Sequence, residues 1–267
     1  MAEISASLVK ELRERTGVGM MDCKRALEET NGDMEAAIVL LREKGMAGVA
    51  KRAGRETTEG LVGYRLAEDG SHGTMVAVGC ETEPVSKNDE FQAFAKKVLD
   101  AVAAGGVGAE AELENERAEL VAKLGENIAI AGAARFEAVD GALVAAYAHP
   151  PANKLGVLLA LRGGDAELGR KLAMHIAAAN PNWIARDDVP ADAVAAEREI
   201  YANTDEVLSK PEQAREKIVD GMLGKRFFGT NVLVDQDWVH DSGKTVGKVL
   251  EEAGAEVLEF QRFALAG

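Results

Sequence analysis

The sequence is poor in aromatic residues and in cysteine. Of its 267 residues only 4% are Phe, Trp or Tyr, and two are cysteines, Cys23 and Cys80. A core with so few rings must be built from Ala, Val, Leu, Ile and Met, which favours helices with some sheet. Because the two cysteines lie far apart with no C-x-x-C pair, we expect them to be reduced and structural, in a reducing compartment.

Positive charge and long apolar runs are also scarce. Lys and Arg number 31 against 45 Asp and Glu, which gives a formal charge of −14. Proteins that bind nucleic acids gain much of their affinity from cationic groups, so this balance argues against direct nucleic-acid binding. No apolar run approaches the roughly 18 to 20 residues of a membrane span, and residues 1–4 lack the layout of a signal peptide. We therefore expect no membrane contact and a cytoplasmic location.

Residues 1 to about 45 are predicted to form three short helices. Asn31-Gly32 is expected to end the second helix, and Asp33 is expected to cap the third, which should finish before Gly45. The basic segment 44–55 is predicted to be a flexible linker or a frayed helix. The apolar residues at helical spacing are Ile4, Leu8 and Leu12, then Met20, Cys23 and Leu27, then Met34, Ile38 and Leu41.

From residue 60 onward, the spacing of the apolar residues changes from that of helices to that of β-strands. Segments 61–66 and 74–78 predict a β-hairpin, followed by helices at 90–104 and 112–131 and a strand at 135–139. A similar order recurs, with strands at 142–147 and 155–161, a helix at 166–179 and a strand at 256–263. This repetition predicts an α+β core made of two related halves.

Between the last predicted helix and strand lies a further helical region, 188–223. Apolar residues there recur every seven positions and then every four, with a capping-box pattern at 209–212. This pattern predicts a helical hairpin that projects from the second half of the core. The residues concerned are Val194, Tyr201 and Leu208, then Ala214, Ile218 and Met222.

No motif assembles a catalytic or metal site. Segment 242–245, Ser-Gly-Lys-Thr, is similar to the end of a phosphate-binding loop, but Trp238 stands where that loop requires glycine. A plain helix start is therefore favoured there, with a nucleotide loop as the alternative. The four histidines form no H-x-x-x-H pair, and Glu81 with Glu83 does not by itself indicate an acid–base couple. We predict a protein that is not an enzyme, with no metal and no cofactor.

Two stretches resemble a known family. Residues 12–27, from Leu-Arg-Glu-Arg through Thr-Gly-Val-Gly to Met-Met-Asp-Cys-Lys-Arg-Ala-Leu, match almost position for position the N-terminal signature of the bacterial elongation factor Ts (EF-Ts) family. Residues 79–88 are similar to its second signature, Asn-Cys-x-Thr-Asp-Phe-Val. Shorter matches to the family extend the resemblance along the chain, at 31–33, 173–178, 187–190, 210–212, 218–221 and 244–247.

This resemblance implies a function and an architecture. The function is guanine nucleotide exchange on elongation factor Tu (EF-Tu) during translation elongation. The protein would bind the GDP-bound and nucleotide-free forms of EF-Tu and promote GDP release by disturbing the Mg²⁺ and phosphate site. The architecture is an N-terminal three-helix, ubiquitin-associated-like (UBA-like) domain with its linker at 1–56, a core N-subdomain at 57–141 and a core C-subdomain at 142–267. The helical hairpin is inserted in the C-subdomain at about 188–224.

The resemblance also implies contact residues in the bundle and core. Leu12, Met20 and Met21 would pack against a helix of the EF-Tu nucleotide domain, an interface that suits flexible, polarizable methionines. The alternative is that at least one methionine lies in the bundle core. His149 corresponds to a histidine that lies at the partner contact in the family.

Thr82, Glu83, Pro84 and Val85 occupy the position of the segment that dislocates Mg²⁺ in the family. Family members carry Asp and Phe where this chain has Glu83 and Pro84, and the Phe acts as a wedge between partner helices. Proline has no ring of that size, and it removes a backbone donor. Two hypotheses follow: an exchange factor whose tip acts through its backbone and Val85, or an EF-Tu-binding, chaperone-like module with weakened exchange.

Overall fold

A computed structural model of the chain describes residues 4–139 and 141–265. A π-helical segment, Leu223–Phe228, continues α10, and single 3₁₀ turns lie at Ala109–Leu113, Arg186–Asp188 and Leu233–Asp235. The helices are α1 (Ala6–Thr16), α2 (Met20–Glu29), α3 (Met34–Arg52), α4 (Glu83–Ser86), α5 (Asp89–Gly105), α6 (Glu114–Leu124), α7 (Ala166–Ala179), α8 (Ala191–Ala202), α9 (Asp205–Leu208), α10 (Glu212–Met222), α11 (Gly229–Asn231) and α12 (Val246–Ala253). The strands are β1 (Glu59–Leu66), β2 (His72–Cys80), β3 (Ile128–Glu137), β4 (Ala142–Ala148), β5 (Leu155–Arg162) and β6 (Glu256–Ala264).

The three predicted N-terminal helices are confirmed as α1, α2 and α3, which pack into one small bundle. Asp33 caps α3 as predicted, since its carboxylate accepts the N–H of Ala36 at 3.0 Å. Cys23 is buried in this bundle and Cys80 in the core beside α5, and both are free thiols. Burial raises the pKa of both thiols, that of Cys80 to about 12, so neither is a reactive thiolate. The bundle core comprises Val9, Leu12, Cys23, Ala26, Leu27, Ala37 and Leu41.

The flexible linker predicted at 44–55 is wrong over residues 44–52, because α3 continues through them to Arg52 and packs on α6. A β-carbon built on Gly45 would stand 2.8 Å from that of Ala122 in α6, so this glycine permits close packing instead of ending the helix. Val49, one turn further, packs against the apolar cluster beneath α5 and α6. The packing partner is distant in sequence, which is why the local pattern suggested a helix end.

Two antiparallel sheets form the rest of the core, one ordered β1-β2-β3 and the other β4-β5-β6. The predicted hairpin is confirmed as β1 and β2, and the strands predicted at 142–147 and 155–161 pair in the same way as β4 and β5. In each sheet the second of these strands lies in the middle. The predicted helix at 112–131 is too long. It ends at Leu124, where Gly125 adopts a left-handed φ of 76°, and β3 then begins at Ile128, earlier than the predicted strand at 135–139.

The two sheets stack face to face between layers of helices. On the inner faces, Met75 of β2 and Leu158 of β5 belong to one buried cluster. The outer face of the first sheet is covered by α5 and α6, and that of the second by α7 and α12. The middle strands are therefore buried on both faces, which explains their unbroken apolar sequences. Gly156 allows the close approach, since a β-carbon there would lie 2.6 Å from Val62 Cγ1.

Region 188–223 contains three helices instead of the predicted two. Helices α8 and α10 pack against each other, and the short α9 lies between them in sequence. The predicted capping box is wrong. Pro211 occupies the N-cap of α10, while the Ser209 hydroxyl donates to the carbonyl of Glu206 at 3.2 Å.

Segment 242–245 forms the helix start favoured by the sequence. The Thr245 hydroxyl accepts the N–H of Lys248 at 3.3 Å and caps α12. The Lys244 ammonium is 2.6 Å from Glu252. This lysine is thus engaged with a carboxylate of its own neighbourhood, and the nucleotide-loop alternative gains no support.

His175 of α7 is fully buried in the folded protein. Its Nδ1 accepts the N–H of Val239 at 3.3 Å, so Nε2 carries the proton and donates to Gln236 Oε1 at 2.9 Å. Burial lowers the pKa of His175 below its ordinary value of 6.5. The hydrogen bond to Gln236 opposes this shift, and the neighbouring charge of His240 adds to it.

This buried histidine predicts a pH-dependent stability. As the pH falls below about 6.5, His175 becomes protonated in the unfolded chain but not in the folded protein. The free energy of unfolding should therefore fall by up to about 1.4 kcal/mol per pH unit. The loss should stop at the folded pKa and be absent above about pH 7.5. Urea unfolding from pH 7.5 to 5.5 measures this slope. His175→Gln should flatten this slope, whereas His72→Gln, at the exposed first residue of β2, should not. Equal slopes in all three proteins would contradict the assignment.

Candidate partner-binding surface

Residues Thr82–Val85, the tip, lie where β2 ends and α4 begins. Thr82, Glu83 and Pro84 are exposed, and Val85 is half-buried against the cluster beneath α5. Proline is tolerated here because the first turn of a helix leaves its N–H groups without helical partners. The tip is thus a short exposed turn mounted on the central strand of the first sheet.

The carboxylate of Glu83 at the tip forms an ion pair with a nearby lysine. Lys87 lies 2.7 Å from the Glu83 carboxylate, one helical turn away. The hydrogen bond from Lys87 is the main cause that lowers the pKa of Glu83, and the charge of Lys154 adds to it. Glu83 is therefore ionised at neutral pH, and both groups remain open to solvent and to an incoming partner.

His149 is exposed in the loop between β4 and β5. Its Nδ1 lies 2.7 Å from the Tyr147 hydroxyl, with the two rings edge to face. The loop is tied to the first sheet at two points. The Val62 N–H donates to the Asn153 carbonyl at 2.6 Å, and the Lys154 ammonium lies 2.5 Å from Glu59.

These ties place the His149 loop and the tip at the same end of the stacked sheets. Glu59 begins β1 directly opposite Cys80, the last residue of β2 before the tip. Lys154 reaches Glu59 and also influences Glu83. The structure therefore brings together two of the predicted contact elements from different sheets, which sequence spacing alone does not indicate.

The three predicted contact residues of the bundle differ in their exposure to solvent. Met20 and Met21 are 44% and 66% exposed on α2, so the alternative that one of them is core is wrong. Leu12 is 0% exposed and lies in the bundle core. The prediction that Leu12 is a contact residue gains no support here, because its side chain packs inside the bundle.

The described ranges contain neither a metal-binding cluster nor a membrane-spanning helix. Within residues 4–139 and 141–265, no three His, Cys, Asp or Glu side chains gather closely enough to hold a metal ion. In the same part of the chain, no helix has both the length and the apolar character that a bilayer span requires. Glu81 and Glu83 have separate partners, Arg55 and Lys87, instead of forming a carboxylate pair.

Comparison with known proteins identifies the family. The family model described as Elongation factor TS matches residues 81–267. The chain is 44% identical to the elongation factor Ts of Methylococcus capsulatus, over 97% of this chain and 91% of that protein. It is 45% identical to those of Thioalkalivibrio sulfidiphilus and Escherichia coli O139:H28, over 97% and 98% of this chain and 91% and 92% of those proteins. The chain therefore belongs to the elongation factor Ts family of translation elongation factors, which act in protein biosynthesis.

Proposed function

We propose that this protein is a guanine nucleotide exchange factor for EF-Tu. It binds the GDP-bound and nucleotide-free forms and promotes GDP release by disturbing the Mg²⁺ and phosphate site. The observation that carries the proposal is the tip, with Thr82, Glu83 and Pro84 exposed, at the same end of the stacked sheets as His149 in a chain of this family. As a partner of a translation GTPase it would act in the cytoplasm, without a catalytic side chain or a cofactor of its own.

The proposal includes a division of the chain. Residues 1–56 form a UBA-like domain with its linker, 57–141 the core N-subdomain and 142–267 the core C-subdomain with a helical hairpin at about 188–224. The three-helix bundle and the identical strand order of the two sheets support this division. The tip would then belong to the N-subdomain and His149 to the C-subdomain, so that both subdomains contribute to one contact.

Exchange by such a surface is a matter of thermodynamic coupling. If the protein binds nucleotide-free EF-Tu more tightly than the GDP-bound form, GDP must weaken its binding by the same factor. Each ~1.4 kcal/mol of coupling changes nucleotide affinity about tenfold. Because Mg²⁺ neutralises the phosphates, displacing it leaves their negative charge uncompensated and accelerates release.

The direct test follows release of a fluorescent GDP analogue from purified EF-Tu after addition of the protein. Acceleration that saturates with protein concentration is expected. Calorimetry on the two forms of EF-Tu provides the equilibrium counterpart, with tighter binding to the nucleotide-free form. Unchanged release at micromolar protein, or equal affinity for both forms, would overturn the exchange proposal.

A second candidate function is favoured by one residue. Pro84 stands at the tip position where the family has the Phe wedge, and it offers a smaller ring on an exposed turn. The protein would then be an EF-Tu-binding or chaperone-like module with weakened exchange. Stable complex formation with an unchanged GDP dissociation rate would support this candidate over the first.

The exposed methionines give a prediction about docking. Met20→Ala with Met21→Ala should weaken binding to EF-Tu about fivefold, because apolar surface that is covered on binding is lost. Since both side chains are exposed, the free energy of unfolding should change by less than about 0.5 kcal/mol. Titration calorimetry and urea unfolding measure the two effects. Val39→Ala, an equally exposed site on α3, is the matched control, and unchanged affinity in the double variant would exclude α2 from the interface.

A further inference from the structure

Two carboxylates join β2 to β3 beyond the last backbone pair, at the base of the tip. Continuing the register would place Glu81 opposite Asn127 and Thr82 opposite Glu126. At these positions each glutamate side chain accepts a backbone N–H from across the pair. Glu126 Oε2 accepts the N–H of Thr82 at 3.0 Å, and Glu81 Oε1 accepts the N–H of Asn127 at 2.6 Å. We call this reciprocal arrangement of the four residues the carboxylate clamp.

Glu126 also controls the side chain of Thr82. The Thr82 hydroxyl donates to Glu126 Oε1 at 2.5 Å, and it makes no capping bond to α4, although Thr82 is the N-cap residue of that helix. Hydrogen bonds to an ionised carboxylate are stronger than those between neutral groups. One carboxylate therefore holds both the backbone and the side chain of the first tip residue.

The clamp has a third attachment, to the segment that follows the bundle. Arg55 donates to both oxygens of Glu81, at 3.2 and 3.3 Å. The side-chain amide of Asn127, only 4% exposed, donates to the Arg55 carbonyl at 2.8 Å. A buried amide with its donor satisfied is costly to disrupt, so this attachment makes the base of the tip rigid.

The tip needs such support, because α4 has four residues and too few helical bonds to hold an orientation by itself. We propose that Glu126 is a positioning residue for nucleotide exchange and acts through Thr82, with Glu81 and Asn127 completing the clamp. This inference rests on the proposed exchange function. Its physical basis is preorganisation: if the tip contacts EF-Tu only as the nucleotide site is disturbed, the cost of ordering a loose tip falls on GDP release and not on docking.

Three variants test the role of Glu126 in GDP release. Glu126→Ala removes both acceptors and should lower the release rate at saturating protein about fivefold, with the half-saturating concentration changed less than about twofold. Glu126→Gln keeps one acceptor oxygen but replaces the other with a donor, so its rate should be intermediate. Glu119→Gln removes one negative charge at an exposed position on α6, and its release rate should equal that of the unmodified protein.

Amide hydrogen exchange in the free protein gives a readout that does not depend on EF-Tu. The Thr82 amide should exchange several-fold faster in Glu126→Ala than in the unmodified protein, with the amides of β5 unchanged. Equal Thr82 exchange would overturn the clamp itself. Faster exchange with an unchanged release rate, or a change confined to the half-saturating concentration, would overturn its positioning role.

The two proposals fail in different ways. If the unmodified protein does not accelerate GDP release, the exchange function fails and the positioning role fails with it, whereas the clamp as a structural element is still decided by Thr82 exchange. If Glu126→Ala does not fold, the Glu126→Gln protein carries the same tests, because the amide preserves the shape of the side chain and one hydrogen bond.

Discussion

Glu83→Asp with Pro84→Phe is expected to raise the saturated rate of GDP release from EF-Tu roughly tenfold or more. Burial of a Phe side chain contributes about 1.5–3 kcal/mol. If that energy is gained only in the complex with the disturbed nucleotide site, each ~1.4 kcal/mol changes the rate or affinity about tenfold. Pro84 is exposed in the first turn of α4, so its replacement removes neither a helical hydrogen bond nor core packing. Stopped-flow release of fluorescent GDP measures the effect.

Pro84→Ala is the control for this experiment, because it removes the proline ring without adding a wedge. Its release rate should stay close to that of the unmodified protein. If the double variant is also unchanged, the ring at position 84 does not limit exchange, and the hypothesis that Pro84 weakens it is excluded. An increase in Pro84→Ala equal to that in the double variant would instead indicate that proline obstructs the contact.

Leu158→Ala is expected to lower the free energy of unfolding by about 2–5 kcal/mol. Leu158 is fully buried on the inner face of β5, where the two sheets meet in a cluster that includes Met75 of β2. Backbone on both sides of this interface is held by strand pairing, so the space left by the side chain cannot close easily. Urea unfolding followed by far-ultraviolet circular dichroism measures the loss.

Leu208→Ala makes the same chemical change at a half-exposed position on α9. It should cost less than about 1 kcal/mol, since less apolar surface is removed from contact and no buried cavity forms. Equal losses for the two variants would show that the interface between the sheets is not tightly packed. The contrast also tests whether the stacked sheets form the main stabilising core.

Much of the local structure was predictable because its causes are local. The hairpin of β1 and β2 follows from apolar segments separated by a turn, and the start of α3 follows from the carboxylate of Asp33 three residues before a free N–H. The family signatures located the tip, since they depend on residue identity at fixed spacing. They could not distinguish exposed from buried positions, and so they placed buried Leu12 beside exposed Met20 and Met21.

The errors share one physical origin. Gly45 has the local character of a helix end, yet it lies inside α3 because a helix from elsewhere in the chain packs against it. The helix predicted at 112–131 was extended too far because its apolar residues continue into β3, and only pairing with β2 distinguishes that strand from helix. Sequence analysis missed Glu126, which lies 44 residues from Thr82 and belongs to no motif considered.

By itself, the sequence determined the family, the identity of most helices and strands, and the position of the tip along the chain. These properties depend on side-chain pattern and spacing over a few residues. Only the tertiary structure decided that the sheets stack face to face, that the tip and the His149 loop lie at the same end of them, and that two carboxylates hold the base of the tip. Such contacts join residues far apart in the chain, and because no local periodicity accompanies them, folding alone brings them together.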